Sequence, residues 1–418
     1  MHGPAHDIGP MVARLAEHDA SRVVARLARH LGPARLDLAE DAVQHALMQA
    51  LRLWPRTGAP ERPAAWLFTV ARNHARDVTR REARQGELGD LLDTLPAPEV
   101  SEPGPRFARE LSDDELVLLF AACHPCLPPE SRIAFALKWV CGLSARQIAS
   151  GLLSSEAAIV KRLQRARRDL VAHGVTLEPL SDADMARRME AVRTSLLLFF
   201  NEGYAASSGK RASAPEICNE ATRLAVALAG HPVTTSPASD ALAALLLLTQ
   251  ARLPARLSAD AELVLLEAQD RALWDRELIG AGLSYLARSA HGETVSVWHL
   301  RAEIAAMHAI ASSAEQTGWP RIREAYERLC ALDASPVAAL GRAVAIGKVE
   351  GPKAAFGALR PVLRAVPDNP YVQAAAGKFL LEMDKPRSAA RRFRRAEAMA
   401  HTPPERRLMA RWLRQADG

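Results

Sequence analysis

Apolar residues recur along this chain at steps of three and four, and clusters of proline, glycine and acid interrupt them at a few places. Leu38, Val43, Leu47 and Leu51 predict one helix, and Trp66, Val70 and His74 predict another. Between them the run WPRTGAPERP has the prolines and glycine of a loop. Residues 1–84 therefore read as a helical unit with an internal loop. In 85–112, Gly86, Gly89, Pro96, Pro98, Pro103, Gly104 and Pro105 lie among acids, the composition of a flexible tether. A second helical set spans 113–175 and stops at Gly174, a residue suited to closing a helix. From 181 to 418 the pattern reads as helix again.

Within that last stretch the sequence repeats itself. Pro336 recurs as Pro370, Pro352 as Pro386, Ala355 as Ala389 and the bulky Leu359 as Phe393, each 34 residues on. That spacing is the period of tetratricopeptide (TPR) helix pairs, expected here over about residues 302–400. The longest apolar run, Ala241–Leu248, falls short of the roughly 18 residues a membrane helix needs and reads as a buried helix. No membrane partner is expected. With no apolar segment behind a basic start, a secretory signal is not expected either, and a cytoplasmic location follows.

Composition agrees with an all-α fold, since 49% of the residues are hydrophobic but only 5% aromatic, and Ala and Leu make up the balance. The net charge of +6 says little over 418 residues, but its distribution says more. Five arginines lie between Arg72 and Arg84, and five basic residues with no acid lie between Lys161 and Arg168. Between the two clusters, residues 85–117 hold nine acids against two arginines. Two basic helices thus flank an acidic connector, a better indication of nucleic acid than either cluster alone.

The segment Gly142–Leu170 reads as two helices joined by a tight turn. Ser144 caps the first, Ile148 and Ala149 face inward, and Gly151 opens the turn. Ser155 caps the second, followed by Glu156, and its Ile159, Leu163, Ala166 and Leu170 share one face. The opposite face carries Lys161, Arg162, Arg165 and Arg168, long side chains placed to reach phosphates and guanine edges in a major groove.

Catalytic chemistry is not indicated. The run GYAASSGKR is one residue too long for a phosphate loop and has Arg211 where Ser or Thr is required. No metal-ligand cluster or nucleophile–base pair is visible, so no metal, cofactor or enzymatic activity is expected. Cys123 and Cys126 in CHPC have redox spacing without a second pair, and read as structural thiols.

Three stretches in order resemble the extracytoplasmic-function (ECF) sigma factors of RNA polymerase. They are DLAEDAVQHALMQALRLWP (37–55), PAAWLFTVARNHARDVTRREAR (63–84) and the segment from CHPC to Leu170. FFNEGYAAS, EICNEATRLA and the later repeats resemble the long extension of one subgroup. The resemblance implies a region 2 bundle over 1–84, a linker over 85–112, a region 4 helix-turn-helix over 113–175 and a TPR-like extension over 181–418. It implies that Asp37, Glu40, Asp41, Gln44 and Leu47 meet the clamp helices of the large polymerase subunit, while region 4 meets its flap. Trp66, Arg72, Asn73, Arg76, Asp77, Arg80 and Arg81 would act at the minus-ten element. Ser155, Glu156, Lys161, Arg162, Arg165 and Arg168 would act at the minus-thirty-five element. Partners would be core polymerase, promoter DNA and a protein bound by the repeats. A repeat scaffold, or a DNA-binding activator with a repeat sensor, would leave Asp37–Arg84 unexplained.

Overall fold

A computed structural model describes residues 8–83, 113–140, 143–151, 155–177, 181–204, 215–400 and 402–417. Among these the regular structure is helical, with one isolated bridge between Leu257 and Leu263. The expected tether at 85–112 and most of GYAASSGKR lie outside the described residues. The chain divides into two compact units, with the division falling near Ser195.

The first unit begins with α1 (Gly9–His18), α2 (Ala20–Leu31), α3 (Leu36–Thr57) and α4 (Pro63–Ala83). Helices α3 and α4 run antiparallel. Trp54 meets Trp66 beside the connecting loop, while Arg35 at the other end bonds the Thr79 hydroxyl at 2.8 Å and pairs with Glu82. The buried face of α3 differs from the predicted stripe. It is Leu36, Ala39, Ala42, Val43, Ala46, Ala50 and Trp54, whereas Leu51 is 44% exposed. Alanines give a weak hydrophobic signal but let two helices approach closely, and here they form the contact surface. Helix α3 also continues through Pro55 to Thr57, so the loop is shorter than predicted.

The same unit contains α5 (Asp113–Ala122), α6 (Pro129–Trp139), most of α7 (Ala145–Gly151), α8 (Glu156–Ala172) and the first part of α9 (Asp182–Tyr204). α5 packs against α2 and α6, and α6 against α8. Gly174 has φ +60°, and the Val175 amide returns to the Leu170 carbonyl at 2.9 Å, closing α8 as the sequence predicts.

The second unit contains the remainder of α9, then α10 (Pro215–Gly230), α11 (Pro237–Gln250), α12 (Arg276–Ser289), α13 (Val297–Ile310), α14 (Trp319–Leu332), α15 (Pro336–Glu350), α16 (Pro352–Ala365), α17 (Pro370–Glu382), α18 (Pro386–Met399) and α19 (Pro403–Asp417). Neighbours in sequence pack in turn, as in a solenoid. The repeated prolines open α15, α16, α17 and α18, where a missing N–H costs nothing. The repeated Ala355/Ala389 and Leu359/Phe393 are fully buried. The apolar run lies in α11, whose Ala241–Ala244 and Leu246–Leu248 are at most 1% exposed. Residues 251–275 do not continue the helical pattern. They form an irregular strap with three short 3-10 turns, although Leu and Ala predominate there.

Candidate nucleic-acid interface

Helix α8 has the predicted cap and apolar stripe, and its outer face differs from the prediction at Arg162. The Ser155 hydroxyl accepts the Ala158 amide at 3.2 Å, and Ile159, Leu163, Ala166 and Leu170 are at most 6% exposed. On the outer face Lys161, Arg165 and Arg168 are exposed and have no partner among the described residues. Arg162 is half-buried and pairs with Glu130 of α6 at 2.9 Å. Ser155 and Glu156 are exposed at the helix start. In α7, Ile148 and Ala149 are buried as predicted, while the turn at 152–154 lies outside the described residues.

On α4 the core face is Leu67, Phe68, Ala71 and Ala75. Asn73, Asp77, Arg80 and Arg81 are exposed together on the other side, while Arg72 and Arg76 are half-buried at its margin. Arg72 keeps a buried Nε with no partner among the described residues. Trp66 packs edge-on to Trp54, with ring centroids 5.1 Å apart, in the cluster that holds α1 against α3. His74 stacks on His45 of α3 at 4.0 Å, and burial, then the His45 charge, lowers its pKa. Sequence reading gave neither histidine a role, because the contact depends on how two helices register.

On α3, Asp37, Asp41 and Gln44 are exposed, Glu40 is half-buried, and Leu47 packs partly into the cluster around Trp54. Glu40 pairs with Lys138 of α6, and Asp37 with Arg167 of α8. Arg167 was not among the predicted DNA-contacting residues. It points from α8 toward α3, away from the exposed face. Cys123 is fully buried, and burial pushes its thiol up to about 11, so CHPC offers no ready thiolate. No helix among the described residues is long and apolar enough to cross a membrane, and no group there could hold a metal.

Profiles of known families match three parts of the chain. Sigma-70 region 2 matches residues 18–85 and sigma-70 region 4 matches 118–170. The ECF RNA polymerase sigma factor SigL of Mycobacterium tuberculosis is 37% identical over 133 residues, which cover 32% of this chain and 72% of that protein. This chain belongs to the ECF sigma-70 family. A probable RNA polymerase sigma factor, RfaY of Xanthomonas campestris pv. campestris, is 34% identical over 135 residues, 31% of this chain and 32% of that protein. An uncharacterised protein of Rhizobium meliloti is 40% identical over 372 residues, 88% of each chain, so the likeness extends through the C-terminal helices. Residues 188–290 match a family of unknown function, DUF6596. No solved structure matches. As an ECF sigma factor the chain works in transcription initiation, and α3–α4 and α5–α8 are its region 2 and region 4 helices.

Proposed function

We propose that this sigma factor binds core RNA polymerase, directs it to specific promoters and promotes their melting. The polar side of α3 docks on the clamp helices of the large subunit, and region 4 docks on the flap. The exposed row Asn73, Asp77, Arg80 and Arg81, with Arg72 and Arg76 beside it, acts on the minus-ten element. There arginines neutralise phosphates of the opening strands, and the amide and carboxylate bond base edges. α8 enters the major groove at the minus-thirty-five element through its Ser155 end. Residues 1–84 and 113–175 are the two DNA-contacting domains, and 181–418 controls them in cis.

The observation that carries this reading is α8 itself. Its apolar stripe is fully used inside the fold, while Lys161, Arg165 and Arg168 are exposed and have no partner among the described residues. Within the segment that matches sigma-70 region 4, three exposed cations on the face opposite the core are placed to meet phosphates and guanine edges. Run-off transcription with purified core polymerase tests the proposal. The full chain is expected to confer promoter-specific initiation, and deletion after Leu180 to change its rate. Specific initiation that does not require this protein would overturn the reading.

A further inference from the structure

The strap between α11 and α12 is 25 residues long, and loops of that length in compact units are usually functional. Its two ends are fixed: Ala255 and Trp274 sit in the core with Leu247 and Ile279, and Gln269 is buried. Between the ends it reaches far along the array. Arg271 donates to the His308 carbonyl near the end of α13 at 2.9 Å and to the Thr317 hydroxyl at 3.2 Å. Glu267 pairs with Lys348 of α15 at 2.7 Å. Glu262 takes Arg407 of α19 at 2.6 Å and Arg411 at 3.5 Å, and Arg407 also donates to the Ala261 carbonyl at 3.1 Å. A single segment thus engages three separate helices of the array, α13, α15 and α19, as a bound peptide would.

Two features set this segment apart from an ordinary packed loop. Its tip is held in a costly shape, since Ala261 has φ +55°, a left-handed conformation that a residue with a Cβ rarely adopts. Its middle is held chiefly by carboxylates on exposed cations, contacts worth about 0–1 kcal/mol each. The groups those carboxylates meet are the cations Lys348 of α15 and Arg407 and Arg411 of α19.

We propose that the face formed by Lys348, Arg407 and Arg411 is a docking surface for an acidic peptide segment, and that residues 256–270 occupy it in cis. A partner segment carrying three or more carboxylates displaces the middle of the strap, while the ends stay in the core. The strap competes at the high effective concentration of a tethered ligand, so the partner must offer more charge than Glu262 and Glu267 do.

The test uses the full chain and a fluorescent synthetic peptide of residues 256–270. In Glu262→Lys/Glu267→Lys, amide exchange across 256–268 is expected to speed up while that of α11 and α13 stays protected. The peptide is then expected to bind this variant about tenfold or more tighter than the parent, weakening as salt rises. Adding Arg407→Glu and Arg411→Glu should abolish that binding. The swap Glu262→Arg with Arg407→Glu should restore protection of the strap, which separates loss of the ion pair from misfolding. Unchanged exchange in the double-lysine variant, or equal peptide binding by parent and variant, would overturn the proposal. Neither readout depends on transcription.

Discussion

Arg167 of α8 pairs with Asp37 of α3, and one helix away Lys138 of α6 pairs with Glu40. Both acids belong to the face assigned to polymerase, so in this conformation region 4 satisfies charges that region 2 would offer to its partner. Asp37 is 61% exposed in its side chain and Glu40 25%, so the second pair is the better shielded. Exposed pairs contribute about 0.2–1 kcal/mol each. Arg167→Ala/Lys138→Ala is therefore expected to bind core polymerase about fivefold more tightly, roughly 1 kcal/mol over the two pairs. Asp37→Ala/Glu40→Ala, which removes the acids themselves, should bind more weakly. Affinities from fluorescence titration would decide, and equal binding by all forms would separate these pairs from polymerase binding.

Arg165 and Arg162 lie three residues apart on α8 but differ in setting. Arg165 is exposed with no partner among the described residues, whereas Arg162 is half-buried against Glu130. Arg165→Ala is expected to weaken promoter binding more than Arg162→Ala. If Arg165 contacts a phosphate, the salt slope flattens by about 0.9; if it contacts a guanine, about 1–3 kcal/mol is lost and sequence preference relaxes. Glu130→Ala, which releases Arg162, should strengthen binding. A salt titration of each variant on one promoter distinguishes these outcomes.

Much of this was legible in the sequence where a single element carries the information. The stripe of α8 and the prolines that open α15 to α18 are local patterns, and the structure reproduces them. The core face of α3 was not legible, because alanines form it and the larger Leu51 faces outward. Nor were Arg167 and the strap. One arginine in a basic cluster looks like the next until a carboxylate of another helix selects it. The strap has a helix-favouring composition, and its contacts with α13, α15 and α19 override that preference.

His308 gives the second unit a pH dependence of known sign. It is 8% exposed on α13, edge-on to Trp319, and burial, then the charges of Arg252 and Arg271, lower its pKa from 6.5 to about 4. The unfolded chain therefore binds a proton between about pH 6.5 and 4 that the folded chain refuses. The stability from keeping His308 neutral is fully present above 6.5 and is lost progressively as the pH falls toward 4. At about 1.4 kcal/mol per pH unit, the upper bound is roughly 3 kcal/mol. His308→Gln should flatten this part of the profile in denaturant titrations across pH 4–7. A slope equal to that of the parent would show that another group is responsible.

Gly377 and Phe393 are matched in size, and their counterparts 34 residues earlier show why. In that repeat Ala343 and Leu359 are both fully buried in one cluster. In the later repeat the large residue has grown to Phe393 and the small one has shrunk to Gly377. A Cβ built on Gly377 would lie 2.5–2.9 Å from the Phe393 ring, which is itself fully buried and has no room to move aside. Glycine inside a helix costs about 1 kcal/mol relative to alanine, so propensity alone would make Gly377→Ala stabilising. Overpacking a filled core costs about 1–3 kcal/mol and acts in the opposite direction. The clash is expected to win, so Gly377→Ala should lower the denaturation midpoint. Gly377→Ala/Phe393→Leu, which rebuilds the earlier repeat's pair, should recover most of the loss, because the ring that meets the new methyl is gone. If the single variant is as stable as the parent, the close approach of α17 and α18 at this point is wrong.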